Sequence, residues 1–343
     1  MSLGDLHNPR AAARVYDEFR RRYQQRVCLA PFAEHSGGVV AAHTLAVGSV
    51  LRPISRDARV YALNTRRLVP NQPHFQLAKL GIGDVSSLHA FCASHDKSLF
   101  SCVEDEPFRF SPEQRFKMAY RAAARECYLK RKQFDSFPKL EDMAEIHGID
   151  TPVGYTQEAM IHQASILKGA EEAEAFKAAL DVHLLTGDWG RVVTAAVVFE
   201  KRPSVVATFA FGPFFNLDGT ELQLIDDLET SASLLSISVI PLEVGGAAIF
   251  SWLDTANSAP RSYFESVAKS TDLTAAVLHV IFDNGENFAI APDWYESLSD
   301  LQKNYIDSRL PIQEAGFEYE VTGRPESTAP FLDDWGSAVT TYF

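Results

Sequence analysis

Four residues from two separate places in the chain carry the chemistry of a metal site. Cys28 and His35 lie in "CLAPFAEHSGG", and Cys92 and His95 lie in "HAFCASHDKSLF". Two thiolates and two imidazoles make a Cys2His2 set, enough to hold one structural Zn2+ tetrahedrally. On a helix, residues three apart share a face, so Cys92 and His95 would grip one side of the ion. The plain alternatives are a buried thiol beside a surface imidazole, and an aspartate or a water in place of His35. Between the two pairs stands His43, at the end of "GVVAAHTL", and Asp96 follows His95 directly. A histidine after an apolar strand is also satisfied by a hydrogen bond in the core, and an aspartate there by solvent on a helix surface. Glu104 reads as part of an acidic loop, and Cys102 and Cys127 read as packing residues.

Elements must bring these residues together. "GVVAAHTL" and "ARVYAL" (58–63) read as short strands, with Gly37-Gly38 supplying a tight turn before the first. The segment around Cys92 reads as a helix from about Val85. Residues 10–26 form an amphipathic pattern with Val15, Phe19, Tyr23 and Val27 on one side. In "SPEQRFKMAYRAAARECYLKRKQF", Ser111 is the natural N-cap and Pro112 fits the first turn. Phe116, Ala119, Tyr120, Ala123 and Cys127 line one face of that helix. Loop-to-strands-to-helix is the layout of a treble-clef finger.

After residue 135 the character changes. A boundary is expected near 136–155, then a helical connector to 190, and β-rich sequence from Arg191. "RVVTAAVVFE", "SVVATFAFGPFF" and a hairpin turning near Gly245-Gly246 read as strands. "SYFESVAKS", "DLTAAVLHVIFD" and "DWYESLSDLQKNYIDSRL" read as helices laid on them. The predicted class is therefore α+β, in three parts: a finger-bearing module over 1–135, a connector over 136–190, and an α+β domain with an antiparallel sheet over 191–343.

The order of a strand histidine and then a metal-binding helix resembles the HNH (His-Me finger) endonucleases with structural zinc. It is similar in particular to a group of uncharacterised bacterial proteins associated with phage defence. "AHT", "FCASHDKSLFSCVE", "YRAAARE" and "NGENFAI" carry that likeness over most of the chain. The resemblance implies that His43 is the general base activating water against a phosphodiester. It also implies that Asp96 holds a catalytic Mg2+ or Mn2+, and that the setting is antiphage defence. Two features depart from the pattern: Cys28 has no second cysteine two residues on, and Asn64 is the candidate for the family's middle asparagine.

Charge is divided along the chain. Residues 1–135 hold 21 Lys and Arg against 13 Asp and Glu, and residues 136–343 hold 11 against 32. A basic segment on an acidic body predicts nucleic acid as the partner of the first part, and a protein partner or trigger for the second. No phosphate-binding loop, dinucleotide fingerprint or nucleophile elbow occurs. No apolar run approaches the length of a membrane span, and the polar N-terminus and four cysteines predict a cytoplasmic protein without a membrane partner. The alternatives to a nuclease are a non-catalytic, zinc-stabilised module that binds nucleic acid or protein, and an enzyme centred on the C-terminal part.

Overall fold

The computed structural model describes residues 26–63, 76–135, 153–224, 229–256, 258–310 and 333–343, with Arg10, Arg14, Arg21 and Glu145 singly. The helix predicted over 10–26, the candidate Asn64 and most of the expected boundary at 136–155 lie outside these residues.

Strands β1 (Val39–His43), β2 (Arg59–Leu63), β3 (Leu77–Gly81) and β4 (Ser87–Cys92) come first. Helices α1 (Ala93–Glu104), α2 (Pro112–Asp135) and α3 (Val153–Thr186) follow. Then come β5 (Val192–Phe199), β6 (Val205–Phe211), β7 (Leu235–Pro241) and β8 (Gly246–Leu253). Helices α4 (Ala259–Ala268) and α5 (Leu273–Asn284), strand β9 (Phe288–Ile290), helices α6 (Pro292–Ser297) and α7 (Asp300–Arg309) and strand β10 (Ala338–Tyr342) complete the chain. Helices and antiparallel sheet are combined, as the α+β reading predicts.

Two sheets form. β1 pairs with β4 alone, and the other eight strands lie in the order β10-β5-β8-β7-β6-β9-β2-β3, every pairing antiparallel. The three-residue β9 joins the halves: Ile290 stands opposite Tyr61 on β2 and Val205 on β6. Strands from before and after residue 136 thus belong to one sheet. Alternation along β5 sorts its side chains, since Ala196 faces one apolar cluster while Ala195 and Val197 face another. On the first face lie α2, the β1–β4 pair and α1, with Leu45, Phe91, Phe100 and Tyr120 fully buried. On the second lie α4 and α5, through Phe264, Val277 and Ile281.

The α2 helix begins where its sequence says it should. Ser111 Oγ accepts from the Gln114 N–H at 3.2 Å, and Gln114 Oε1 accepts from the Ser111 N–H in return. Phe116, Ala119, Tyr120, Ala123 and Cys127 are all buried. Gly245 makes the β7–β8 hairpin possible. It sits at φ +72°, and a Cβ there would come within 2.0 Å of the Phe199 carbonyl oxygen.

Two expectations need correction. The segment from Val85 is not helical to its end: 87–92 is strand β4, because pairing with β1 satisfies its backbone and buries Leu88, Ala90 and Phe91. The helix predicted across 293–310 is two. Leu298 is extended, and Ser299 restarts the chain with a capping box to Gln302. Strands β3 and β10 were not signalled by alternation.

Several basic residues before 136 pair with acidic residues after it. Arg56 pairs with Asp293 and Glu296, Lys79 with Glu296, Arg109 with Glu243, and Arg131 with Glu174. Among the described residues, no helix is long and apolar enough to cross a membrane.

Candidate metal centre

The β1–β4 pair and the chain flanking it bring the four ligand candidates together. Residues 27–29 run beside β4, with the Val27 N–H donating to His89 O at 3.1 Å and the Leu29 N–H to Ala90 O at 2.8 Å. That places Cys28 next to the end of β4, where Val39 of β1 stands opposite Cys92. Cys92 is extended at the N-cap of α1, and His95 lies in the first turn. The cap position keeps the two within reach of each other without Cys92 being helical. His35 arrives on the loop between Cys28 and β1, edge-on to His95 with ring centroids 5.1 Å apart.

Cys28, His35, Cys92 and His95 place their ligand atoms within 4.8 Å of one another. Both sulfurs lie 3.4 Å from His95 Nδ1. A tetrahedral zinc ion with bonds of about 2.3 Å to sulfur and 2.0–2.1 Å to nitrogen has ligand–ligand edges of about 3.3–3.8 Å. The two measured edges fall in that range, so the four residues lie close enough to bind a metal ion and are compatible with structural zinc. His95 and Cys92 are buried, Cys28 is half-buried and His35 is exposed, which leaves one side of the cluster toward solvent.

Local fields favour the ligand forms unevenly. Burial pushes the Cys28 thiol up, against a hydrogen bond from the Cys92 N–H at 3.2 Å. Burial pushes Cys92 the same way, but backbone N–H groups of His95, Ser36 and Ser94 and the Cys28 side chain outweigh it, and its thiol lies below the ordinary value. Burial, then the neighbouring His35, lowers the His95 imidazole and keeps it neutral, the form that coordinates. Cys102 and Cys127 stand outside the cluster; burial holds the Cys127 thiol up at about 11, the behaviour of a packing residue.

His43 and Asp96 lie within electrostatic reach of one another. His43 is half-buried at the end of β1, and its Nδ1 donates to the Val85 carbonyl at 3.0 Å. That bond fixes the tautomer and leaves Nε2 as the proton acceptor. Burial raises the Asp96 carboxyl; Arg121, His43 and Lys97 pull it back, and Glu104 adds to the rise. Among the described residues, the Cys2His2 set is the one group of three or more close metal-ligand side chains, and Asp96 is not in it.

Three residues that support this region were not singled out by sequence. Arg121 of α2 donates to Glu104 at 2.6 Å and lies over the Phe100 ring at 4.2 Å. Lys117, Arg121 and Arg125 recur every four residues on one face of α2 and are all buried, a charged stripe turned inward. Ser86 fastens the end of β1: its hydroxyl accepts from the Leu45 N–H at 3.0 Å, and its carbonyl accepts from the Thr44 N–H at 2.9 Å. Asn287, in the "NGENF" segment, donates to Thr44 Oγ1 at 2.9 Å and to the Thr208 carbonyl at 2.7 Å. Comparison with known proteins adds no relative: no family model, curated protein or solved structure matches this chain.

Proposed function

We propose that the chain is a metal-dependent nuclease with an HNH-like site, acting on nucleic acid bound through its N-terminal segment in bacterial defence against phage. The observation that carries the reading is the set of His43: a half-buried imidazole at the end of β1, its Nδ1 held by the Val85 carbonyl, within electrostatic reach of Asp96 in the first turn of α1. The pairing of β1 with β4, which runs straight into α1, supports the reading, although β4 takes the place expected of the 58–63 strand, which pairs in the large sheet instead.

In this reading His43 Nε2 takes a proton from the attacking water, and the Val85 carbonyl holds the ring while the imidazolium exists. The water oxygen bonds to phosphorus, the P–O bond to the leaving oxygen breaks, and that oxygen regains a proton from solvent. Asp96 would hold a catalytic Mg2+ or Mn2+ with its carboxylate, and such an ion would offset phosphate charge when bound. Zn2+ in the Cys2His2 set would tie the 28–35 loop to the start of α1, completing a treble-clef finger. The acidic C-terminal part would sense a trigger or hold a protein partner.

One observation favours the second reading, a non-catalytic zinc-stabilised module: the single carboxylate beside His43 is not part of a preassembled metal cluster. The two separate in a cleavage assay on plasmid DNA and on RNA with Mg2+ or Mn2+, comparing wild type with His43→Ala. A general base contributes about 10²–10⁴-fold, so the nuclease reading expects a loss of that size with zinc content and circular dichroism unchanged. Wild-type protein that binds nucleic acid without cutting it, or cutting that persists in His43→Ala, sinks the nuclease reading.

A further inference from the structure

The eight-stranded sheet ends at β10, which pairs with β5 on one side. Two hydrogen bonds fix which backbone groups serve that pairing. The Phe343 N–H donates to the Thr194 carbonyl at 2.9 Å, and the Ser337 carbonyl accepts from the Glu200 N–H at 3.0 Å. In an antiparallel ladder, residues two apart point their N–H and C=O groups the same way. Ser337, Val339, Thr341 and Phe343 therefore face β5. Ala338, Thr340 and Tyr342 turn theirs to the open edge, where no strand among the described residues meets them.

Natural sheets guard such an edge with a lysine, a proline or a bulge. The opposite edge of this sheet has Lys79 at the centre of β3. β10 has none of these: "AVTTY" is uncharged, keeps a regular register, and is rich in β-branched and aromatic side chains. Val339 is 68% exposed and Tyr342 50%. Charge stands instead at the two ends of the strand. The Arg115 guanidinium lies over the Phe343 ring, 4.7 Å from its centroid, and the Glu200 carboxylate accepts from the Ser337 hydroxyl at 2.7 Å. Lys201 and Asp334, on either side of that second end, pair with each other.

We propose that β10 is the interface of a homodimer: two copies of this chain pair their β10 strands antiparallel about a two-fold axis at Thr340, joining the large sheets edge to edge. That register uses the strand from end to end. Thr340 stands opposite Thr340 of the second copy and Ala338 opposite its Tyr342, so every outward N–H and C=O of the strand gains a partner. Val339 meets Thr341 of the second copy, a β-branched cross-strand pair. The same axis sets Phe343, under Arg115, opposite Ser337, which Glu200 holds. The basic end of each strand thus meets the acidic end of the other, and the edge is its own complement in charge as in hydrogen bonding. The interface is distinct from the Cys2His2 cluster and does not depend on the nuclease reading.

The test is sedimentation velocity on the full chain at about 1–200 µM and low salt, since interfaces below about 1,200 Å² belong to the weak, transient class. A concentration-dependent shift to twice the chain mass is expected. Thr340→Pro deletes an N–H that β5 does not use, so it should leave a monomer with unchanged circular dichroism. Thr340→Lys and Thr340→Glu keep the backbone intact and set like charges directly opposite across the axis. Each alone should weaken the dimer about fivefold, and an equimolar mixture of the two should recover it. A dimer that ignores Thr340→Pro, or charged variants that the mixture does not rescue, overturns the proposal. So does a wild type that stays monomeric throughout. Slow hydrogen exchange at Thr340 would then mean that the edge is covered within the chain, and fast exchange that it is open to a strand of another protein.

Discussion

Replacing Cys92 with serine removes a buried thiol that flanks the same His95 nitrogen as Cys28. With zinc bound, the two ligand pairs clamp the ends of the segment 36–91, a loop of about 56 residues. A cross-link across such a loop restricts the unfolded chain by on the order of 4 kcal/mol. In a chain of this length that is a fall in melting temperature of roughly 5–10 °C when the ion is lost. The measurement is metal content by elemental analysis together with thermal melts, each with and without a strong chelator. Wild type should carry about one zinc per chain and lose the stated stability to the chelator. Cys92→Ser should carry little zinc, melt near the chelated wild type, and ignore the chelator. Cys102→Ser, outside the cluster, should keep the ion. A wild type without zinc, or a chelator effect equally large in Cys92→Ser, would refute the assignment of these four residues.

Other expectations follow from individual contacts. Glu296 is held at about 2 by hydrogen bonds from Arg56 and then Lys79. A folded value below the unfolded one of about 4.3 means the contribution is full above that value and is lost as pH falls toward 2. Glu296→Gln should therefore differ from wild type in urea melts above about pH 5, converge with it by pH 2, and differ less in high salt. Gly245→Ala should cost about 2 kcal/mol or more, because its Cβ would collide with the Phe199 carbonyl at a positive φ; an unchanged denaturant midpoint would contradict the hairpin geometry. Asn287→Ala strips Thr44 Oγ1 and the Thr208 carbonyl of a donor, with an expected cost of about 1–3 kcal/mol in the same experiment.

Much of the fold was legible where one element buried one face. Helix α2 announced its cap and its apolar stripe, and β5 to β8 announced themselves as β-branched runs ending in turn residues. The metal residues were legible as types and spacings. Their convergence was not, because it depends on β1 pairing with β4 across 43 intervening residues, with a hairpin inserted between. β3 was missed because "LAKLG" has no alternation: it is an edge strand, half-buried along its whole length. The ion pairs of Arg56 and Lys79 were hidden for a related reason: their acidic partners lie more than 200 residues further along. Sequence distance hides such pairs, and only the completed sheet brings them together.

That sheet also sets an order of events on the ribosome. Tyr61 and Ala62 pair with Lys79 and Ala78 on one side, but on the other their ladder partners are Ile290 and Ala289, about 230 residues later in synthesis. At roughly 5–20 residues per second, the N-terminal hairpin waits about 10–45 s with its edge unpaired before β9 emerges. During that interval it is exposed to mispairing and to chaperones. Truncated chains released before residue 288 would retain the Cys and His residues without the strand that seats the β2–β3 hairpin, which lies between β1 and β4, in the large sheet. Whatever chemistry the first third of the chain performs, its final geometry is coupled to completion of translation.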